Sequence, residues 1–152
     1  MSPEDAARYI EWHKLRDAGY TMPWEEYLEL RYISIKNGNG ENMTLGKYFP
    51  DGNGGATPDS YISKAKETGD MYFDLGERWN EIKAKYNLTD DDLFNLFNKP
   101  ALDDAVNAGK VIRFSQNPDD FLGSALWDEW EYLQKEYGFT KLEKIGDYWY
   151  AR

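Results

Sequence analysis

The sequence has no cysteine and a single histidine, His13, among its 152 residues. Without cysteine the chain can form no disulfide, no thiolate nucleophile and no zinc–sulfur site. With one histidine it has no histidine pair for acid–base catalysis, and we predict a packed or surface role for His13. A bound metal would need carboxylate and carbonyl ligands, as Mg²⁺ or Ca²⁺ does. We expect no metal and no other cofactor.

Long apolar runs and positive charge are also scarce. No apolar run approaches the ~20 residues of a membrane span, so we predict none. No export leader follows Met1, so the export signal of a secreted domain would belong to a larger parent chain. The 28 acidic residues outnumber the 18 basic ones, giving a formal charge of −10. This charge disfavours sequence-independent nucleic-acid binding and favours a basic partner, although a nuclease with a local basic cleft is compatible with it.

Aromatic residues are abundant, with six Trp and twelve Tyr. A chain of this length is long enough for one domain with a sizeable core, and large rings are expected to fill much of that core. We predict a single domain over residues 1–152. It consists of a helical N-terminal segment, 1–38, and an α/β core, 39–152.

Capping residues and helix breakers divide the chain into helices. Ser2-Pro3 opens the first helix and Gly19 ends it. Thr89 caps a later helix, where the acidic run that follows suits the positive end of the helix dipole, and Pro100 is predicted to break that helix. The other helices are predicted over residues 21–37, 59–68, 77–86, 100–108 and 124–137.

Residues with strand propensity alternate with these helices. Strands are predicted over residues 43–48, 71–75, 110–115, 140–145 and 148–151, with a hairpin turn at Gly146-Asp147. The pattern predicts an α+β (or α/β) fold. In this fold an N-terminal helical segment precedes a mixed four- or five-stranded sheet with helices and a C-terminal β-hairpin.

Two glycine-containing segments look like ligand loops but depart from them at defining positions. Residues 40–47 have five residues between the glycines where a P-loop has four, and Tyr48 replaces its Ser or Thr. Residues 51–62 begin like a calcium loop, but Ala56 and Ile62 replace the glycine and the bidentate glutamate. We therefore predict no nucleotide-binding loop at residues 40–47 and a plain flexible turn at the start of residues 51–62.

Polar side chains gather where the 110–115 strand leads into the next helix, a place where α/β sheets often hold sites. Glu129 is the candidate general acid or base, and Arg113 would stabilise developing negative charge. Ser115 and Ser124 complete the candidate catalytic set by orienting the substrate. Structural roles stay open: Ser124 as an N-cap, Glu129 as a solvated helix residue, and Arg113 as an ion-pair partner.

Four further residues are predicted to bind the substrate. Lys47 would neutralise negative charge, Asn117 would orient the substrate, and Tyr150 would stack or donate a hydrogen bond, with Tyr48 beside Lys47. The first amides of the helix that begins at Ser124 are suited to holding a phosphate.

Scattered positions between about Met43 and Phe139 carry a family resemblance. They are Leu45-Gly46-Lys47-Tyr48, Tyr61, Ala65-Lys66, Gly69, Tyr72-Phe73, Trp79, Ala105, Gly109, Ser115, Gly123-Ser124, Glu129, Tyr132-Leu133 and Gly138-Phe139. In this order they resemble the C-terminal toxin modules of bacterial polymorphic toxins, which form the variable tips of Rhs-type and contact-dependent-inhibition proteins.

The resemblance implies a domain secreted as part of a larger protein, delivered to the target-cell cytoplasm, and neutralised by a cognate immunity protein. Many such modules are nucleases and others attack nucleotides, so the implied substrate is RNA or a nucleotide and the implied enzyme a metal-independent nuclease (RNase) or nucleotide-targeting enzyme. The charge of −10 departs from the usual basic nuclease. The alternative is a non-catalytic acidic binding module, such as an immunity or inhibitor protein.

Overall fold

The structure, a computed structural model, describes residues 1–152 and has the predicted α+β class. None of its helices combines the length and the apolar character that crossing a membrane requires. The helices are α1 (Pro3–Asp17), α2 (Trp24–Ser34), α3 (Tyr61–Thr68), α4 (Arg78–Tyr86), α5 (Asp90–Leu93), a π-helical segment (Phe94–Asn98), α6 (Lys99–Asn107), a 3₁₀ turn (Pro118–Asp120) and α7 (Ala125–Tyr137). The strands are β1 (Ile35–Lys36), β2 (Asn42–Leu45), β3 (Tyr72–Phe73), β4 (Val111–Phe114), β5 (Leu142–Ile145) and β6 (Tyr148–Ala151).

The main sheet has four strands in the order β2-β4-β6-β5. Strands β2 and β4 are parallel, with Met43 opposite Ile112, whereas β6 is antiparallel to both β4 and β5. The mixed sheet and the C-terminal hairpin are therefore confirmed. A second, two-stranded sheet pairs β1 with β3. The sequence did not predict it, because Ile35 continues the helical spacing of the apolar residues of α2 and the predicted helix therefore included both residues of β1.

The N-terminal helices pack into the same core as the sheet. One cluster of 22 buried hydrophobic residues extends from Trp12 to Ala151 and includes Met22, Tyr27 and Leu30. The Trp12 indole donates a hydrogen bond to the Met22 carbonyl at 2.8 Å, which joins the end of α1 to the start of α2. The packing of segment 1–38 thus depends on contacts with residues far along the chain.

The helix break predicted at Pro100 is wrong, because helical structure continues from Asp90 to Asn107 through the π-helical segment. Proline has no amide to donate to the carbonyl four residues earlier, which belongs to Leu96. The Tyr27 hydroxyl lies 3.2 Å from that carbonyl, and its single proton is shared between the carbonyl and the Glu11 carboxylate. The wider π turn before the proline and this replacement donor let the helix continue.

Candidate functional site

A cavity of about 780 Å³ lies where the end of β2, the glycine-rich loop 50–56, α3, the 73–80 segment and the start of α7 meet. We call it the Glu129 cavity. Four of the predicted site residues line it, namely Lys47, Tyr48, Ser124 and Glu129. Sites in α/β sheets often lie at the carboxyl ends of parallel strands. In this protein the strand that ends at the cavity is β2, whereas the sequence predicted β4.

Glu129 occupies a core position of α7. The buried side chains of this helix are Leu126, Glu129, Trp130 and Leu133, spaced as one face of an amphipathic helix. Only 6% of Glu129 is exposed. Burial raises the pKa of its carboxyl from 4.5 to about 8, with a smaller contribution from the charge of Asp128, and no protein group donates a hydrogen bond to it. Glu129 is therefore protonated at neutral pH.

The cavity around Glu129 is lined by aromatic rings and amides, and by two lysines and two other acidic residues, Lys47, Lys66, Asp74 and Glu77. Tyr61 donates a hydrogen bond to the Phe73 carbonyl at 2.5 Å, and burial raises the pKa of its phenol well above the usual value. The nearby negative charge of Asp74 raises this pKa further. The Lys47 ammonium lies 5.7 Å from the centre of the Phe121 ring.

The path of the chain at Lys47 is fixed by Gln116, a residue that the sequence reasoning missed. Its Oε1 accepts hydrogen bonds from the Lys47 amide at 2.6 Å and from the Ser115 hydroxyl at 2.8 Å. Its Nε2 donates to the Asp59 carbonyl at 2.8 Å. No local pattern marks this role, since Gln116 joins three segments that are distant in sequence.

Gly46 is required where these segments meet. A Cβ atom at this position would collide with the Ser115 Oγ, with the Gln116 Oε1 and with the Tyr61 Cβ. Only glycine lets the end of β2 approach the end of β4 and the start of α3 this closely.

Arg113 does not join Glu129, which corrects the predicted arrangement. Successive side chains of a strand point to opposite faces, and the next residue, Phe114, packs against Trp130 of α7. The Arg113 guanidinium instead donates to Asp70 at 2.9 and 2.8 Å and to the Tyr150 hydroxyl at 2.9 Å. It pairs with a buried carboxylate, and Tyr150 is tied to that pair.

The polar side chains of the β4–α7 connection form hydrogen bonds that hold a turn and the start of α7 in place. The Ser115 hydroxyl donates to Gln116, and Asn117 caps the 3₁₀ turn by accepting from the Asp119 amide at 3.1 Å. Ser124 caps α7: its hydroxyl accepts from the Trp127 amide at 3.5 Å and donates to the Phe121 carbonyl at 2.6 Å. Ser124 thus holds the start of α7, and with it Glu129, at the edge of the cavity.

No protein-family model, curated protein or solved structure matches this chain.

A larger cavity, of about 1050 Å³, lies between α1 and α6. Two carboxylates that line it, Glu11 and Asp104, are bonded to the buried Arg31, each at 2.8 Å, whereas the Nη1 atom of Arg8, another lining residue, is buried without a hydrogen-bond partner. The bonds of Arg31 join α1, α2 and α6 and so stabilise their packing.

No group of three or more His, Cys, Asp and Glu side chains is placed to hold a metal ion. In the 50–56 loop, Asp51 Oδ1 accepts hydrogen bonds from the amides of Asn53 at 2.6 Å and Gly55 at 3.1 Å. This is a side-chain-stabilised turn, in agreement with the plain turn predicted there.

The cavity provides a group suited to proton exchange. The neutral Glu129 carboxyl can donate a proton to a bound group and, once ionised, take one back. Lys47 and the first residues of α7 line the same cavity, together with the carboxylates of Asp74 and Glu77.

Proposed function

We propose that this chain is an enzyme whose active site is the Glu129 cavity. Glu129 exchanges a proton with the substrate, and Lys47 stabilises the negative charge that develops. The observation that carries the proposal is a buried carboxyl with a pKa of about 8 and no partner within the protein, opening onto a cavity. Strongly shifted groups in clefts are typical of catalytic acids and bases.

The reaction class follows from the proton exchange. A neutral carboxyl acts first as a general acid, for example by protonating a leaving oxygen or nitrogen, and its carboxylate then activates the attacking water. Ser124 acts as a positioning residue, since both hydrogen bonds of its hydroxyl are used in capping α7. The sequence prediction that Arg113 and Ser115 are catalytic receives no support from their position.

The biological setting that we propose is the one implied by the resemblance to polymorphic toxins. The domain is a secreted antibacterial effector that acts in the target-cell cytoplasm on RNA or on a nucleotide, and a cognate immunity protein neutralises it. The formal charge of −10 supports a small nucleotide over a long polyanion, because the net field repels a polyanion.

The test is inducible expression in the bacterial cytoplasm, with growth, RNA gels, DNA gels and nucleotide pools as readouts. The wild-type chain is expected to arrest growth, and Glu129→Gln to abolish the arrest while the protein accumulates normally. Glu136→Gln is the matched control, since Glu136 is exposed on the same helix, and it should arrest growth like wild type. An arrest that Glu129→Gln leaves unchanged contradicts the proposal.

The acidic charge favours one other function, a non-catalytic module that binds a basic partner. In that case expression of the wild-type chain leaves growth unaffected. An added basic protein would then bind with an affinity that falls with salt and is insensitive to Glu129→Gln.

A further inference from the structure

Strand β5 is an edge of the main sheet with no strand on its outer side. It lies at the opposite end of the sheet from β2 and pairs with β6 alone. Its residues from Glu143 to Ile145 are exposed. An edge of this kind presents unpaired amides and carbonyls to which another strand can bond. The sequence of β5 therefore decides which strand can occupy this edge.

The free hydrogen-bonding groups of the edge belong to Leu142 and Lys144. Lys141 and Arg152 exchange both of their main-chain hydrogen bonds, at 3.0 and 3.3 Å. In an antiparallel pair, residues that do so alternate with residues whose amide and carbonyl point away from the partner strand. Because β5 and β6 keep this register as far as Ile145, the amides and carbonyls of Leu142 and Lys144 point away from β6.

A second copy of the chain can pair with this edge in only a few registers. Two identical antiparallel strands are related by a twofold axis, so one residue faces itself in the copy. With the axis at Glu143 or at Lys144, two like charges face each other, which destabilises the pair. With the axis at Ile145, Glu143 faces Asp147 of the copy, again a pair of like charges. An axis at Leu142 avoids these contacts.

The axis at Leu142 makes the two edges complementary. Lys141 of each copy then lies opposite Glu143 of the other, which gives two ion pairs on one face of the combined sheet. Leu142 faces its own copy, and the free amides and carbonyls of the two leucines bond to each other. Lys144 faces the uncharged Thr140. Charged residues on an edge usually prevent pairing, whereas here opposite charges two residues apart favour one register.

The charge around this edge also permits a second copy to approach. The chain as a whole carries a formal charge of −10, which opposes association with another copy. Residues 140–152 have no share in this acidic excess, since they contain three basic residues and two acidic ones, namely Lys141, Lys144, Arg152, Glu143 and Asp147. Glu143 bonds to Arg152 at 3.1 Å, but its side chain remains 47% exposed and can meet a second cation.

We propose that two copies of this chain associate through β5, antiparallel and about a twofold axis at Leu142. Their four-stranded sheets then form one continuous sheet. The contact is small, and contacts of this size give weak, reversible complexes. The Glu129 cavity lies at the end of β2, on the opposite edge of the sheet. The association therefore leaves the cavity of each copy open and is independent of the proposed activity.

Sedimentation equilibrium of the full chain, up to millimolar concentration and at physiological ionic strength, tests the association. The wild-type chain is expected to show a concentration-dependent equilibrium between monomer and dimer. Lys141→Glu and Glu143→Lys each turn both ion pairs into pairs of like charge, so each should weaken the dimer at least about tenfold. Both side chains are exposed, so the melting temperatures should stay close to that of wild type. A wild-type chain that remains monomeric overturns the proposal.

Restoring opposite charges distinguishes this register from any other contact between copies. The variant that combines both substitutions should dimerise like wild type, and an equimolar mixture of the two single variants should form a heterodimer. Lys144→Glu is the matched control. It changes the net charge as much as Lys141→Glu does but faces Thr140, so it should affect the dimer much less. A dimer that the single variants leave unchanged, that the combined variant fails to restore, or that Lys144→Glu weakens equally, overturns the proposal.

Discussion

At the scale of single residues, the sequence contains several polar side chains whose chemistry is decided by where they point. Glu129 lies on the buried face of α7 and has no protein partner, whereas Arg113, in the middle of a strand, is neutralised by Asp70. The first arrangement leaves a group free to react, and the second uses the group to hold two segments together.

Glu129→Gln is expected to change how stability depends on pH. The folded pKa of about 8 lies above the ordinary value of 4.5. Between pH 4.5 and about 8 the folded state holds a proton that the unfolded state has lost. The free energy of unfolding therefore falls as the pH rises through this range, and this group causes no further change above it. The variant lacks this fall. Near pH 4 it should match wild type, and above pH 8 it should be more stable by on the order of 5 kcal/mol, since the shift from 4.5 to about 8 spans about 3.5 pKa units at about 1.4 kcal/mol each.

Urea unfolding at pH 4, 6 and 8.5 measures this difference. Glu136→Gln, on the exposed side of α7, serves as the control and should give a much smaller change between the same pH values. A Glu129→Gln variant that is less stable than wild type at pH 8.5 would mean that the fold stabilises the carboxylate, and Glu129 would then be ionised rather than protonated at neutral pH.

Arg113→Met is expected to destabilise the protein by about 3–5 kcal/mol, because it leaves the buried Asp70 carboxylate without its cation. Adding Asp70→Asn should recover part of that loss, which denaturant unfolding of the single and double variants measures. The control is Arg152→Met. Arg152 forms a more exposed pair with Glu143 at 3.1 Å, where a change of about 0–1 kcal/mol is expected. A stable but inactive Arg113→Met would instead support a catalytic role for Arg113.

At the scale of elements, the site depends on three segments that meet at the end of β2. The Gln116 side chain bonds to the Lys47 amide, to Ser115 and to the Asp59 carbonyl, and Gly46 leaves room for this contact. The position of Lys47 at the cavity therefore depends on the close approach of β2, β4 and α3.

Gly46→Ala should lower stability by about 1–3 kcal/mol, since its methyl group must displace Ser115 and Gln116. Because these residues hold Lys47, nucleotide affinity should fall as well. Thermal unfolding and calorimetric titration measure the two effects. Gly38→Ala is the control, since its added Cβ meets only the Ile35 side chain at an ordinary 3.7 Å. A Gly46→Ala variant as stable as wild type would mean that the junction adapts without strain.

At the scale of the whole molecule, one hydrophobic core joins the N-terminal helices to the sheet. The sequence indicated a helical segment over residues 1–38 but gave no information on what it packs against. Its buried residues, among them Tyr27 and Leu30, are fully enclosed by later parts of the chain, and Tyr27 also bonds to the Leu96 carbonyl.

Leu30→Ala is expected to destabilise the whole molecule by about 2–5 kcal/mol in one cooperative transition. Circular dichroism and tryptophan fluorescence should give coincident unfolding curves. Ile10→Ala, at a site on α1 that is 59% exposed, should change stability by less than about 0.5 kcal/mol. Two separate transitions, with only the first shifted by Leu30→Ala, would show that the N-terminal helices form an independent unit.

Much of the fold could be predicted because it is encoded locally. Caps such as Ser2, Thr89 and Ser124 mark helix starts through bonds to amides within three residues. Period-two patterns and the Gly146-Asp147 turn mark the C-terminal hairpin. The continuous helix through Pro100 and the β1–β3 sheet could not be predicted in this way, because both depend on partners that lie far away in sequence.

The candidate site, like the fold, has features that the local sequence encodes and others that depend on distant parts of the chain. The sequence by itself determined which side chains can do chemistry, and it placed Glu129 on a helix, three residues after Leu126 and four before Leu133. Whether that position is buried or solvated was decided by the tertiary structure, which buries it. Only the tertiary structure decided that Lys47 and Asn98 share a cavity with Glu129, and that Arg113 and Tyr150 lie on the other face of the sheet. The physical reason is that strand pairing and helix packing, which bring distant segments together, set both the burial of a charged group and the partners left to neutralise it.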